Sequence, residues 1–280
     1  MLKSTFCHIP GIGLQAEYHL WFSGVLSWDS LMGADPISLS QNEIKSLTDH
    51  IKQSFKHLGN NNPGYFTELL PSNQHWRLFP DFRHSTAYLD IETTGLSSSG
   101  NYITTIALYD GKSIFHYVKG DNLEDFMEDI KKYKVIVTYN GKCFDIPFIE
   151  NHLKIKMNHA HIDLRYVLKS LGYTGGLKGC ERQLGVDRNE LDGINGYFAV
   201  LLWNDFKKNK NQKALETLLA YNIQDVVNLE TLMVISYNLK LKDTPFSRRH
   251  QLLLPLLPEI PFKADMKTVE KIMSRNIYIN

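Results

Sequence analysis

The sequence predicts an α/β fold, a mixed sheet with helices on its faces, behind a small helical N-terminal region. Three observations carry this prediction. Between residues 85 and 240 the apolar pattern runs in the order βββ-α-β-α-β-α. Asp110-Gly111 separates two β-rich runs, a hairpin signal. A long segment of helical period, about 213–239, closes the region.

The elements follow in order. Gly11 and Gly13 form a tight Gly-x-Gly turn that joins two short helices, with a second turn at Gly24 and Ser27 placed to cap the next helix. A polar helix extends to about Leu58, with Ser40 as N-cap and Glu43 at the capping-box spacing. Residues 59–64 read as a loop. Residues 88–91, 103–109 and 113–118 read as strands, 123–133 as a helix and 135–139 as a buried strand. A helix opens near Phe144, with Pro147 tolerable in its first turn. A short strand ends near Asp163, and mostly helices follow. After Lys240 the chain is Pro-rich and ends in a short amphipathic helix. The expected division is 1–84 (helical region), 85–240 (α/β domain) and 241–280 (tail).

Composition sets outer limits. The chain has 280 residues, of which 43% are hydrophobic and 22% charged, an ordinary globular mix able to build a sizeable core. Cys7, Cys143 and Cys180 are odd in number and form no CxxC pair, which argues for reduced thiols rather than a disulfide framework or a zinc ribbon. A net charge of +1 neither demands nor excludes a nucleic-acid partner, so any basic surface must be local. No stretch approaches a membrane span and no signal peptide is read, so no membrane partner and a cytoplasmic location are expected.

The chemistry-bearing residues are acidic. On a strand, Asp90 and Glu92 project from the same face. Two carboxylates side by side raise each other's pKa unless a cation neutralises them, and a hard divalent cation with oxygen ligands does so. Asp145 follows a strand and opens a helix within Asn140-Gly-Lys-Cys-Phe-Asp145, where an acid also suits the helix dipole. Tyr221 and Asp225, four apart on a helix, share a face. Each of these alone is weak. Asp163 is a rival acid, and the structural reading, a cap for the helix starting at Leu164, is preferred. Lys142, Lys178 and Arg182 are candidates to touch phosphates, although solvated surface charge is the commoner fate of such residues.

In this order, Asp-x-Glu, Asn-x-x-x-Phe-Asp and Tyr-x-x-x-Asp resemble the DEDD exonuclease superfamily of the ribonuclease H-like fold, in its tyrosine subgroup. The runs AYLDIETTGL (87–96), VTYNGKCFDIPFIENHL (137–153), HIDLR (161–165) and GGLKGCERQLG (175–185) resemble the YprB-type ribonuclease H-like family. The resemblance covers about 85–240. It implies a 3′–5′ exonuclease using two divalent cations, Mg²⁺ or Mn²⁺, on single-stranded or 3′-ended DNA or RNA. Asp90, Glu92 and Asp225 would hold one ion, Asp90 and Asp145 would support the second, and Tyr221 would orient the attacking water. Thr93, Asn140, Lys142 and Phe144 would meet the nucleic acid. A catalytically silent binding module and a ribonuclease H-type endonuclease are the competing readings.

The leader, from Ile9-Pro-Gly-Ile-Gly13 through Glu17, Leu20, Gly24 and Leu31, resembles a single helix-hairpin-helix unit at 7–33. There Gly11 and Gly13 would let backbone N–H groups approach a phosphate. The alternative is a small helical element packed on the core through Trp21 and Trp28.

Overall fold

The computed structural model describes residues 1–33, 41–188 and 195–277. The helical region comprises a 3₁₀ turn (Leu2–Ser4), α1 (Leu14–Phe22), α2 (Trp28–Met32), α3 (Gln41–Gly59), α4 (Pro63–Leu69), a second 3₁₀ segment (Ser72–Leu78) and α5 (Phe79–Phe82). The α/β region contains β1 (Thr86–Thr93), β2 (Ile103–Tyr109), β3 (Ile114–Val118), α6 (Phe126–Asp129), β4 (Val135–Thr138), α7 (Asp145–Leu153), β5 (Ala160–Asp163), α8 (Leu164–Ser170), α9 (Gly176–Leu184), α10 (Gly196–Asn209) and α11 (Gln212–Leu241). An irregular stretch leads to α12 (Met266–Ile277).

The five strands form one mixed sheet in the order β3-β2-β1-β4-β5. β1 pairs antiparallel with β2, and β2 with β3, through the turn at Asp110-Gly111, where Gly111 has φ +86°. β1 and β4, and β4 and β5, are parallel and joined through helices. This is the expected α/β class.

Strand alternation sends the side chains of β1 into two different cores. Ala87, Leu89 and Ile91 pack with Ile106, Phe126, Phe148 and Ile149. Tyr88 joins Ala107, Val135, Val137 and the α11 residues Ile223, Val226 and Leu229 on the other side. Asp90 and Glu92 share the parity of Tyr88, so they emerge on the face that α11 covers. α11 is buried around most of its circumference, as a central helix must be.

One expectation for the leader needs correction. The Gly-x-Gly turn does not join two helices: only α1 follows it, and Leu2–Ser4 is a single 3₁₀ turn. The physical reason lies in Glu17, whose Oε1 accepts the N–H groups of Phe6 (2.6 Å) and Cys7 (3.0 Å) and so satisfies donors that a helix would have used. Glu17 is itself buried against Arg77 at 2.8 Å. The indole of Trp21 donates to Ser4 O (2.8 Å) and that of Trp28 to Thr5 O (2.7 Å), so both rings lock the leader onto the core. Ser27 caps α2 in a capping box with Ser30. The capping box placed at Ser40 and Glu43 lies outside the described residues. The loop expected at 59–64 is shorter, because Pro63 opens α4 at a position where its missing N–H costs nothing. The helix expected over 123–133 is one α-turn, α6, between two 3₁₀ turns.

Candidate active site

The site lies at the C-terminal end of β1, where one cavity of about 480 Å³ is lined by Asp90, Glu92, Asp145, Tyr221 and Asp225. β1 supplies the first two acids on one face, and a register shift between Glu92 and Thr93 bends the strand end. The first turn of α7 supplies Asp145, and α11 supplies Tyr221 and Asp225 one turn apart. Ligand oxygens of Asp90, Glu92 and Asp225 all lie within 4.8 Å of one another. Asp145 sits slightly apart from that trio, with Oδ1 accepting the Ile91 N–H at 3.2 Å. Glu92, Asp145 and Asp225 are only 8%, 3% and 5% exposed.

Packing these acids together is costly. Burial, followed by repulsion from Asp225 and Asp145, holds the Asp90 and Glu92 carboxyls well above their ordinary range. Burial pushes Asp145 up to about 7. Burial also raises Asp225, though Arg188 and Lys178 offset part of this. Asn222 donates to Asp90 Oδ2 at 2.7 Å and is itself oriented by Thr105 Oγ1, which donates to its Oδ1 at 2.9 Å.

An oxygen-only donor set, buried, mutually repelling and within 4.8 Å, fits hard divalent cations, which bind oxygens at about 2.0–2.6 Å and so bring ligands on opposite sides to about 4–5 Å. The Tyr221 hydroxyl is raised far above its usual range by burial and then by Asp225, so it stays a neutral phenol able to donate a hydrogen bond.

Residues that the sequence did not single out complete the site. Arg188 ion-pairs with Asp225 and, at 2.6 Å, with Glu181; Asn228 donates to the other Glu181 oxygen at 2.8 Å. This buried network joins α9 to α11 behind the carboxylates. Its only sequence trace is the bracketing of the Gln183-Leu184-Gly185 turn by Glu181 and Arg188, because an arginine's partner 37 residues away leaves no local pattern. The exposed side chains of Leu96 and Tyr197 rim the cavity. Lys178 places its Nζ 4.7 Å from the centre of the Tyr221 ring and so belongs to the site. Arg182 is exposed on the last turn of α9.

The other sequence candidates are placed as follows. Thr93, Asn140 and Phe144 line the cavity. The Thr93 hydroxyl donates to Gly95 O at 2.8 Å, and the Asn140 Oδ1 accepts from Arg165. Lys142 is exposed and is not among the residues lining the cavity; its charge falls on His75 and His161 instead. Asp163 caps α8 through the Arg165 N–H (3.0 Å) and also accepts the N–H groups of Asn140 (2.8 Å) and Lys142 (3.0 Å). It therefore shapes the loop that delivers Asp145, in line with its structural reading. Gly11 and Gly13 are exposed, and neither has an atom within 4 Å of where a Cβ would sit.

Gly141 has no such room. A Cβ there would stand 2.6 Å from Thr138 Cβ, and Thr138 Oγ1 accepts the Gly141 N–H at 3.0 Å. Gly141→Ala is expected to lower stability by about 1–3 kcal/mol, the usual cost of overpacking. Urea unfolding measures it, and an unchanged midpoint would show that the loop yields freely.

Sheet order and a buried carboxylate cavity at the end of the first strand define an α/β domain with a candidate divalent-cation site. Residues 87–237 match the RNase H superfamily, more than half of the chain, and the protein belongs to that superfamily. Among solved structures, the chain is similar to the family B DNA polymerase of the hyperthermophilic archaeon Pyrobaculum calidifontis, at 18% identity over 56% of this chain and 24% of the polymerase, with a TM-score of 0.42. It is also similar to Brucella melitensis NrnC, at 16% identity over 59% of this chain and 78% of NrnC, with a TM-score of 0.41. NrnC bound to pGG aligns at 17% identity over 61% of this chain and 80% of NrnC, also at 0.41. The chain thus spans about a quarter of the polymerase's length. No curated protein matches it.

Proposed function

We propose that this chain is a 3′–5′ exonuclease of the YprB type that hydrolyses phosphodiester bonds of DNA or RNA with two divalent cations, Mg²⁺ or Mn²⁺. The observation that carries the reading is the convergence of Asp90, Glu92 and Asp225 within 4.8 Å, with Asp145 and Tyr221 on the same cavity. Asp90, Glu92 and Asp225 would hold one ion, and Asp90 with Asp145 the other. Two such ions supply charge stabilisation for both the attacking and leaving oxygens and a water of lowered pKa.

The protein's own contributions follow from its geometry. Asn222 holds Asp90, and the Ile91 N–H holds Asp145, so the carboxylates are oriented before any ligand arrives. Tyr221, protonated at neutral pH, aligns the attacking water and a phosphate oxygen. Thr93, Asn140 and Phe144 border the path of the terminal nucleotides. The helical region, the α/β region and the tail are read as 1–84, 85–240 and 241–280.

End-labelled linear strands and circular single strands, offered with Mg²⁺ or Mn²⁺ and with chelator, test the proposal. Release of mononucleotides from the 3′ end alone is expected. Cutting of circles would make the chain an endonuclease, and binding without cleavage a silent module. Tyr221→Phe is expected to slow single-turnover cleavage by about 10²–10³-fold, on the order of 2.7–4 kcal/mol, with cation affinity retained. Lost cation affinity in that variant would overturn the role given to the phenol.

A further inference from the structure

The tail, for which the sequence suggests no role, builds a basic surface. α12 docks by Val269 and Ile272, which are buried with Phe198, Leu202, Trp203 and Leu215 of α10 and α11. Beside that apolar contact, α12 carries Lys267, Lys271 and Arg275, spaced i, i+4, i+8 and all exposed. The register is pinned. Asp265 Oδ1 caps the helix through the Thr268 N–H (2.8 Å), Oδ2 accepts from Lys213 Nζ of α11 (3.0 Å), and the Asp265 N–H donates to Thr217 Oγ1 (2.9 Å). Arg275 reaches Asp205 of α10 at 3.6 Å.

Beside this stripe, the end of α10 and the turn after it expose Lys207, Lys208 and Lys210. Lys213, Lys267, Lys271 and Arg275 line a polar cavity of about 590 Å³ together with Asp205, Asp265, Asn209 and Asn211, where the two amides donate to Asp205 at 2.6 and 2.7 Å. Counting these seven cations against Asp205, Asp265 and Glu270 leaves a local charge of +4 in a chain of net charge +1, so the remainder is net negative. The basic charge is concentrated here and is not spread evenly.

α10 ties this surface to the carboxylates. Its first turn carries Gly196, Tyr197 and Val200, which line the acidic cavity, and its last turn carries Lys207 and Lys208. Fourteen helical residues span about 20 Å. That distance corresponds to on the order of six nucleotides at the duplex spacing of 3.4 Å per strand residue.

We propose that Lys207, Lys208, Lys210, Lys213, Lys267, Lys271 and Arg275 form a second binding site, for the sugar-phosphate backbone of a strand whose 3′ end lies among the carboxylates. The inference rests on the nuclease reading for the choice of ligand and for the polarity of the strand. Without sequence readout, the surface would hold strands long enough to reach it and would leave very short ones to the acidic cavity alone.

The test measures binding by fluorescence anisotropy in chelator, where no cleavage occurs, using the full chain with a fluorescein-labelled 20-mer and a labelled trinucleotide. Two variants on different helices are compared, Lys267→Glu/Lys271→Glu and Lys207→Glu/Lys208→Glu, each checked by thermal melting for an intact fold. In both, 20-mer affinity is expected to fall at least about tenfold. The slope of log affinity against log salt should become shallower by about 0.7 for every phosphate that is no longer neutralised. Trinucleotide affinity is expected to stay as it was. Unchanged 20-mer affinity and slope in both variants would overturn the proposal. So would loss of binding to phosphatidylserine vesicles with 20-mer binding intact, which would assign the surface to membranes. Because no arm reads cleavage, a chain that binds the 20-mer through these residues but cuts nothing would refute the nuclease reading and leave this site standing.

Discussion

Asp90→Asn is expected to abolish metal-dependent cleavage and to raise the melting temperature of the metal-free protein. The asparagine keeps the shape and accepts or donates locally, but it removes the charge at the centre of the carboxylate group. Asp90 and Glu92 are held well above the usual carboxylate range, and Asp145 is pushed up to about 7. In the unfolded chain these groups titrate near 4. Between about pH 4 and the raised folded values, the folded chain therefore holds more protons than the unfolded one, and its stability falls as pH rises through that window. Every tenfold excess in proton affinity that the substitution relieves returns about 1.4 kcal/mol. The gap in melting temperature between the variant and wild type should thus widen from pH 5 to pH 8 without metal. Saturating Mg²⁺ or Mn²⁺ should close or reverse it, because only the wild type gains the full neutralisation. Retained Mg²⁺-dependent cleavage in the variant would sink the mechanism. A gap constant with pH would mean that the acids are not electrostatically strained.

Arg188→Met is expected to be the most destabilising of the substitutions considered. The guanidinium is 3% exposed and bridges Glu181, fully buried, to Asp225. Removing one partner of a buried pair strands an uncompensated charge and costs about 3–5 kcal/mol. Here two carboxylates are stranded, and they differ in remedy. Asp225 lies with Asp90 and Glu92, whereas Glu181, on α9, faces Asn228 of α11. Divalent cations should therefore stabilise Arg188→Met more than they stabilise the wild type, yet restore only part of the loss. Adding Glu181→Gln should recover a further share. Denaturant unfolding of the single and double variants, with and without Mn²⁺, reads all of this. A single variant as stable as wild type without metal would show that Arg188 contributes nothing to the frame behind Asp225.

Much of the domain is legible in the sequence because its signals are local. Strand period puts Asp90 and Glu92 on one face, Asp110-Gly111 sets the hairpin, and helical spacing puts Tyr221 beside Asp225. Order along the chain, more than any single motif, points to a shared site. Asp163 is legible as a helix cap, since the residue type and position before Leu164 suffice for that role.

Sequence and structure part where a distant group overrides the local pattern. The leader's glycines promise a turn between two helices, but the Glu17 carboxylate, buried against Arg77 sixty residues away, takes the Phe6 and Cys7 N–H groups and replaces the first helix. Lys142 stands next to Cys143, Phe144 and Asp145 in sequence, yet it is exposed outside the cavity that Asn140, Phe144 and Asp145 line. The Glu181–Arg188–Asp225 network and the gathering of α12 with the end of α10 are set by packing between elements far apart in the chain.

The sequence alone thus determined the fold class, the order of the α/β elements and the shared faces of Asp90 with Glu92 and of Tyr221 with Asp225, because periodicity, turn chemistry and residue type act over a few residues. Only the tertiary structure decided that three acids meet within 4.8 Å, that Arg188 stands behind Asp225 and that the lysines of α10 and α12 form one surface. Those depend on how α9, α10, α11 and α12 dock, and docking is governed by long-range burial and charge pairing that leave no short-range trace.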